Sequence, residues 1–122
     1  MPEMRLGMVE AHFADIVWQH APLSTRELIK LCEKELNWKR TTTYTVLKKL
    51  CERGIFHMEK SMVTVLITKE EFSSMQSQQF VQEHFQGSLP AFIAAFAAGH
   101  TPSTKDLEQI KKMIQQYEDE NK

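Results

Sequence analysis

With 122 residues, of which 42% are hydrophobic and 25% charged, the chain has the size and make-up of one ordinary globular domain, or of a small domain with an appended segment. No apolar run approaches the ~20 residues of a membrane span, and Met1-Pro2-Glu3-Met4-Arg5 holds no apolar core of a secretory signal, so a cytoplasmic location is expected. The net charge of −1 does not point to nucleic acid, but its distribution does: residues 37–60 hold six Lys or Arg against two Glu, and residues 69–122 hold five against eight acids.

In chain order, residues 6–19 predict a first helix, in which Val9, Phe13, Ile16 and Val17 recur at helical spacing with Met8 and Trp18 on the flanks. Ala21-Pro22 ends it, and Leu23 is a short link or a small strand. Ser24-Thr25-Arg26-Glu27 is a capping box, with the serine capping a backbone N–H and Glu27 reaching back. It opens a second helix over about 24–36 that carries Leu28, Leu31, Cys32 and Leu36 in register. Cys32 and Cys51 form no CxxC pair and read as buried free thiols.

The stretch from Trp38 to Ile55 predicts the third helix, and it carries the functional signal. Thr43, Val46, Leu47 and Leu50 fall at i, i+3, i+4 and i+7, the spacing of a face turned to a core. Thr42, Thr45, Lys48 and Lys49 are left outward with Tyr44, and Gly54 supplies the stop. Lys39 and Arg40 stand at the positive end of the helix macrodipole, a placement that costs roughly 0.3–1 kcal/mol each. A costly cation there points to an anionic partner, and with threonine hydroxyls beside it the partner expected is double-stranded DNA. Three helices in this order, the last two joined by a short link, make a helix-turn-helix. Lys39, Arg40 and Lys60 are expected on phosphates, and Thr42, Tyr44 and Thr45 at base edges, with Lys48 and Lys49 on the same face. Thr41 reads as a contact or a helix cap, Trp38 as packing at the turn, and Thr43, on the buried side, needs a backbone partner.

Beyond Gly54 the period changes. Residues 55–60 and 63–67 are short and β-rich, and the link Lys60-Ser61-Met62 suits a hairpin, which makes the motif a winged one. Thr68-Lys69-Glu70-Glu71 then caps a long polar helix of about 69–86, Ser88-Leu89-Pro90 starts a short apolar helix that closes at Gly99, and Ser103-Thr104-Lys105-Asp106 caps a last helix. The expected fold is mainly α with a small β-hairpin: a winged helix-turn-helix over residues 1–68 and a three-helix dimerisation segment over 69–122. That segment carries Phe80, Phe85, Leu89, Phe92, Ile93, Phe96, Leu107, Ile110, Met113, Ile114 and Tyr117. Three short helices cannot easily bury this set alone, and each large side chain is worth roughly 1.5–3 kcal/mol when buried. A homodimer is therefore expected, placing two recognition helices roughly 34 Å apart on a palindrome.

Catalysis and metal binding find no support. The five histidines are scattered without ligand spacing, and no Gly-rich phosphate loop, GxSxG or HExxH occurs, so neither an enzyme nor a cofactor is expected.

Two stretches carry a family resemblance. Leu6-Gly7-Met8-Val9-Glu10 through Val17-Trp18, and Trp38 followed by Thr41-Thr42, Thr45-Val46-Leu47, Lys49-Leu50 and Gly54-Ile55, are similar to the opening helix and recognition helix of the penicillinase-repressor (BlaI/MecI) family. The resemblance implies a homodimeric winged-helix repressor on a promoter palindrome. It also implies, where a membrane sensor-protease system is the partner, inactivation by proteolysis in the helix before the last, here at Ala95-Phe96. The chain departs from the family pattern in having Ala95 in place of asparagine, Thr43 in place of an aliphatic residue, Lys49 in place of arginine, and Lys60-Ser61 in place of a Gly-Arg wing tip. No paired CxC motif ends the chain, so copper sensing is not implied. Two further readings fit the same residues: a winged helix whose basic face docks an acidic protein, and a regulator whose Phe-rich tail lines a small-ligand pocket.

Overall fold

The apolar spacing of the first half of the chain folds as three helices and a small sheet around one core. The computed structural model describes residues 5–121, so the N-terminal Met1-Pro2-Glu3-Met4 and the final Lys122 lie outside the described residues. The elements are α1 (Met8–His20), β1 (Leu23–Ser24), α2 (Thr25–Leu36), α3 (Arg40–Glu52), β2 (Phe56–Glu59), β3 (Met62–Val65), α4 (Lys69–Phe85), α5 (Leu89–Gly99) and α6 (Thr104–Glu120). This is the mainly α, winged helix-turn-helix architecture with a helical segment after it. The hairpin gains a third strand: the sheet order is β1-β3-β2, antiparallel throughout, with Leu23 opposite Val63. The chain divides between Gln79 and Phe80, inside α4, into two compact units.

The core of the first unit joins Phe13, Ile16 and Val17 of α1, Leu28 and Cys32 of α2, and Leu47 and Leu50 of α3 to Ile55, Phe56 and Val63. Phe72 is buried with them and Met75 packs against them, which ties the first half of α4 to this unit. One expectation fails in α1. Val9, placed on the buried face, is 56% exposed. It lies in the first turn of the helix, and the core begins one turn later at Phe13, with Ala14 beside it.

Two tryptophans fasten the unit. Trp38 stacks on Phe13 with ring centroids 5.6 Å apart and planes 19° from parallel, so it packs the turn between α2 and α3. The Trp18 indole N–H donates to the Ile67 carbonyl at 3.0 Å, and its ring meets Phe56 edge-on, holding the chain after β3 against α1.

Local signals fix the element ends. Ser24, Thr68, Ser88 and Ser103 each accept a backbone N–H three residues on, from Glu27, Glu71, Ala91 and Asp106, all at 3.1 Å. At Thr68 the box is reciprocal, since its N–H donates back to Glu71 Oε1 at 3.2 Å. At Ser24 it is the serine hydroxyl that meets the Glu27 carboxylate, at 3.1 Å. Past α3, Gly54 has φ +80°, a left-handed value that a side chain would strain, and the Ile55 N–H closes on the Leu50 carbonyl at 3.1 Å. The hairpin turns on Lys60 and Ser61, with φ of 51° and 62°, the two positive values of a type I′ turn.

In the second unit Phe80, Phe85 and Phe92 form an aromatic cluster, with centroid separations of 5.5 to 6.2 Å. Neither α5 nor α6 holds a fully buried residue. No helix among the described residues is long and apolar enough to cross a membrane.

Candidate nucleic-acid interface

Helix α3 begins without a side-chain cap. Lys39 occupies the cap position in extended backbone, Arg40 is the first helical residue, and the first turn holds no acid. Thr41, read as a possible cap, lies inside the helix instead. The backbone N–H groups of this end and two cations therefore face the same solvent, with nothing in the first turn to balance them.

Lys39, Arg40, Thr41, Thr42, Thr45, Lys48 and Lys49 are all exposed, and Tyr44 is half-buried. The Arg40 guanidinium sits over the Tyr44 ring, 5.7 Å from its centroid. Hydrogen bonding from Thr25, with help from Arg40, holds the Tyr44 phenol below its ordinary pKa. Since Thr25 belongs to α2, these contacts join the starts of the two helices.

The threonines divide by where their hydroxyl protons go. Thr45 Oγ1 donates to the Thr41 carbonyl at 2.9 Å, which leaves its methyl and an oxygen lone pair outward. The Thr42 hydroxyl has no hydrogen-bond partner among the described residues. Buried Thr43 meets its need by donating to the Lys39 carbonyl at 3.4 Å, and it lies against the Cys32 thiol. Burial pushes that thiol up to about 11, against an ordinary value near 9. Burial also raises Cys51.

The lysines divide as well. Lys49 Nζ is 3.3 Å from Glu10 Oε2 of α1, an oxygen that Arg53 approaches at 3.8 Å. Lys49 thus lies on the α1 flank of α3 with the half-buried Glu10 carboxylate beside it, which offsets part of its charge. Lys48 lies on the other flank, at the rim of an apolar groove of about 490 Å³ with Leu47, Phe56 and Leu66. Lys60 is at the exposed tip of the hairpin, and the neighbouring Ser61 carbonyl accepts the Thr25 N–H at 2.9 Å, which ties the tip to the start of α2.

Two residues that the sequence reading left out come alongside this face. Arg26 and Lys30 of α2 border the same groove as Arg40 and Tyr44. Their signal was their i, i+4 spacing on α2, but only the packing of α2 on α3 reveals which way that pair faces.

In the second unit, Phe80, Leu89, Ile93, Phe96, Leu107, Ile110, Met113, Ile114 and Tyr117 are between 41 and 57% exposed. Phe85 and Phe92 are half-buried within the aromatic cluster. Ala95 and Phe96 lie within α5 and are both exposed.

A family model described as penicillinase repressor matches residues 6–116. The chain is 20% identical over 122 residues to the penicillinase repressor of Bacillus licheniformis, covering 97% of this chain and 95% of that one. It is 17% identical over 113 residues to the methicillin resistance regulatory protein MecI of Staphylococcus aureus, covering 89% of this chain and 92% of that one.

Proposed function

The chain belongs to the penicillinase repressor family, a family of DNA-binding transcriptional repressors, and we propose that it acts as a homodimer on a palindromic operator. The observation that carries this reading is the start of α3, where Lys39 and Arg40 stand at an uncapped, acid-free helix end beside exposed threonines. An N-terminus of this kind is stabilised by a phosphate and destabilised without one. The helix then presents Thr42, Tyr44 and Thr45 to base edges in the major groove, while Lys39, Arg40 and Lys60 take the backbone and Lys48 the flank. Lys49 contributes less than Lys48, because Glu10 already offsets its charge.

The tail supplies the second copy. In one chain α5 and α6 leave their large apolar side chains about half in water, and a two-fold partner covers them at a gain of roughly 1.5–3 kcal/mol for each one fully buried. Relief of repression follows from cutting α5 at Ala95-Phe96, which separates the stripe from Leu107 to Tyr117 from the reading head. A protease needs extended chain, so this bond is cut only when α5 opens locally. Sedimentation of the full chain tests the dimer directly: the parent runs as twice the chain mass, and Ile110→Glu with Ile114→Glu as a single chain. Equal sedimentation of parent and variant would remove the tail from the proposal.

A further inference from the structure

Helical periodicity puts Lys49 on the same stripe of α3 as Thr42 and Thr45, about two turns beyond Thr42. A cation there extends the positive side of the helix, but its ammonium does not stand alone. Lys49 Nζ lies 3.3 Å from Glu10 Oε2 of α1, whereas Lys39, Arg40 and Lys48 have no ion-pair partner among the described residues. The carboxylate is held from behind. The same oxygen is 3.8 Å from Arg53 Nη1, and Arg53 Nη2 donates to the Arg5 carbonyl at 2.6 Å. The Arg53 side chain is 17% exposed against 59% for Lys49, so of the two cations it is the lysine that can turn outward. Glu10 Oε2 is itself buried and accepts no hydrogen bond among the described residues. An oxygen in that state costs the fold stability, so packing alone does not account for a glutamate at this position.

We propose that Glu10 is a specificity-determining residue of DNA binding, one that withholds the Lys49 ammonium from the phosphates of unrelated DNA. The inference rests on the DNA-binding reading above and extends it to α1. Sequence-independent binding grows with each cation that a protein can set on a phosphate. A lysine stem is long and flexible, so a released ammonium at this position finds a phosphate in many registers of α3 along the duplex. Beside a fixed carboxylate it adds little net charge to the approaching face, and the carboxylate repels the backbone. On the operator, base contacts hold α3 in one register, and a released ammonium has only the phosphates of that register to use. Glu10 therefore lowers binding to unrelated DNA more than binding to the operator.

The test is a salt titration of the full chain on two duplexes, the best sequence from a random-duplex selection and an unrelated one. The variants are Glu10→Gln, Lys49→Gln and the two combined, each checked by thermal melting. Glu10→Gln steepens the log–log salt slope on the unrelated duplex by about one, so the drop in affinity between about 50 and 200 mM salt grows about fourfold. Affinity for that duplex rises at the low-salt end, whereas a loss of folded protein would lower it. The selected duplex gains less, so the ratio of the two affinities falls. Adding Lys49→Gln to Glu10→Gln restores the parental slope, and Lys49→Gln alone moves the slope far less. A parental slope in Glu10→Gln overturns the inference, as does an equal gain on both duplexes. If Glu10→Gln fails to fold, Lys49→Gln alone decides, because a change of slope by about one in that variant shows that Glu10 withholds nothing. A parent that binds neither duplex overturns the DNA-binding reading itself, and that result needs no variant.

Discussion

Thr42 and Thr45 look alike in sequence and differ in the fold, and the difference predicts opposite responses to the same substitution. Replacing threonine by valine exchanges a hydroxyl for a methyl at nearly constant volume and at similar helix propensity. At Thr45 the hydroxyl proton already goes to the Thr41 carbonyl at 2.9 Å, so no donor is available to a base. The outward methyl remains in Thr45→Val and still meets a thymine methyl, so operator affinity changes by no more than about 0.5 kcal/mol. Removing a bond from a side chain to the carbonyl four residues back leaves the helix intact or slightly relieved. At Thr42 the hydroxyl has no partner among the described residues, so it is available to a base-edge acceptor. Thr42→Val loses that bond, costing roughly 1–3 kcal/mol, and it flattens discrimination at one base pair of each half-site. Fluorescence anisotropy against the selected operator and its single-base variants reads both quantities. The reasoning is refuted if Thr45→Val loses as much affinity as Thr42→Val, or if neither changes the base preference.

Three further expectations follow from the first unit. Trp38→Ala removes the stack on Phe13 and destabilises the protein by about 3 kcal/mol in urea unfolding, whereas Trp38→Phe keeps most of the stability; lost DNA affinity at unchanged stability would instead make Trp38 a base-stacking residue. Ser61→Gly, at φ 62°, relieves a left-handed residue and raises stability by about 1 kcal/mol, read as a higher unfolding midpoint; a lower midpoint would contradict the turn geometry. Cys32 has a folded pKa raised from near 9 to about 11, so its contribution to stability is full below pH 9 and is lost as pH rises towards 11. Between those values the unfolded chain releases the thiol proton and the folded chain keeps it, and Cys32→Ala therefore removes part of the alkaline fall in stability. An unchanged alkaline slope in that variant would refute the assignment.

Much of this molecule is written in local pattern. The winged-helix order follows from apolar spacing, capping serines and the Gly54 stop, each readable within one turn of its own residue. The same spacing places Thr43, Leu47 and Leu50 on the buried side of α3, where the structure has them. What escaped is what depends on packing between elements. Leu23 reads as a link or a small strand, and only the edge that β3 offers beside it decides for the strand. Val9 fits the periodicity of α1 as well as Phe13 does, and only the docking of α1 on the core leaves it outside. The pairing of Lys49 with Glu10 and the meeting of Arg26 and Lys30 with Arg40 are likewise set by how α1 and α2 lie on α3. The direction of the Thr45 hydroxyl is a rotamer choice inside the helix, which sequence spacing does not report.

The most direct measurement for the central proposal is a selection of the full-length protein on random duplex DNA, followed by sequencing of the bound pool and repeated with Arg40→Ala and Thr42→Ala. A homodimer reading through α3 enriches an inverted repeat whose half-sites lie about one helical turn apart. Arg40→Ala then lowers recovery of all sequences, and Thr42→Ala relaxes one position in each half-site. Recovery of unpatterned DNA, or the same repeat at the same strength from both variants, would contradict the assignment of α3 as the reading helix.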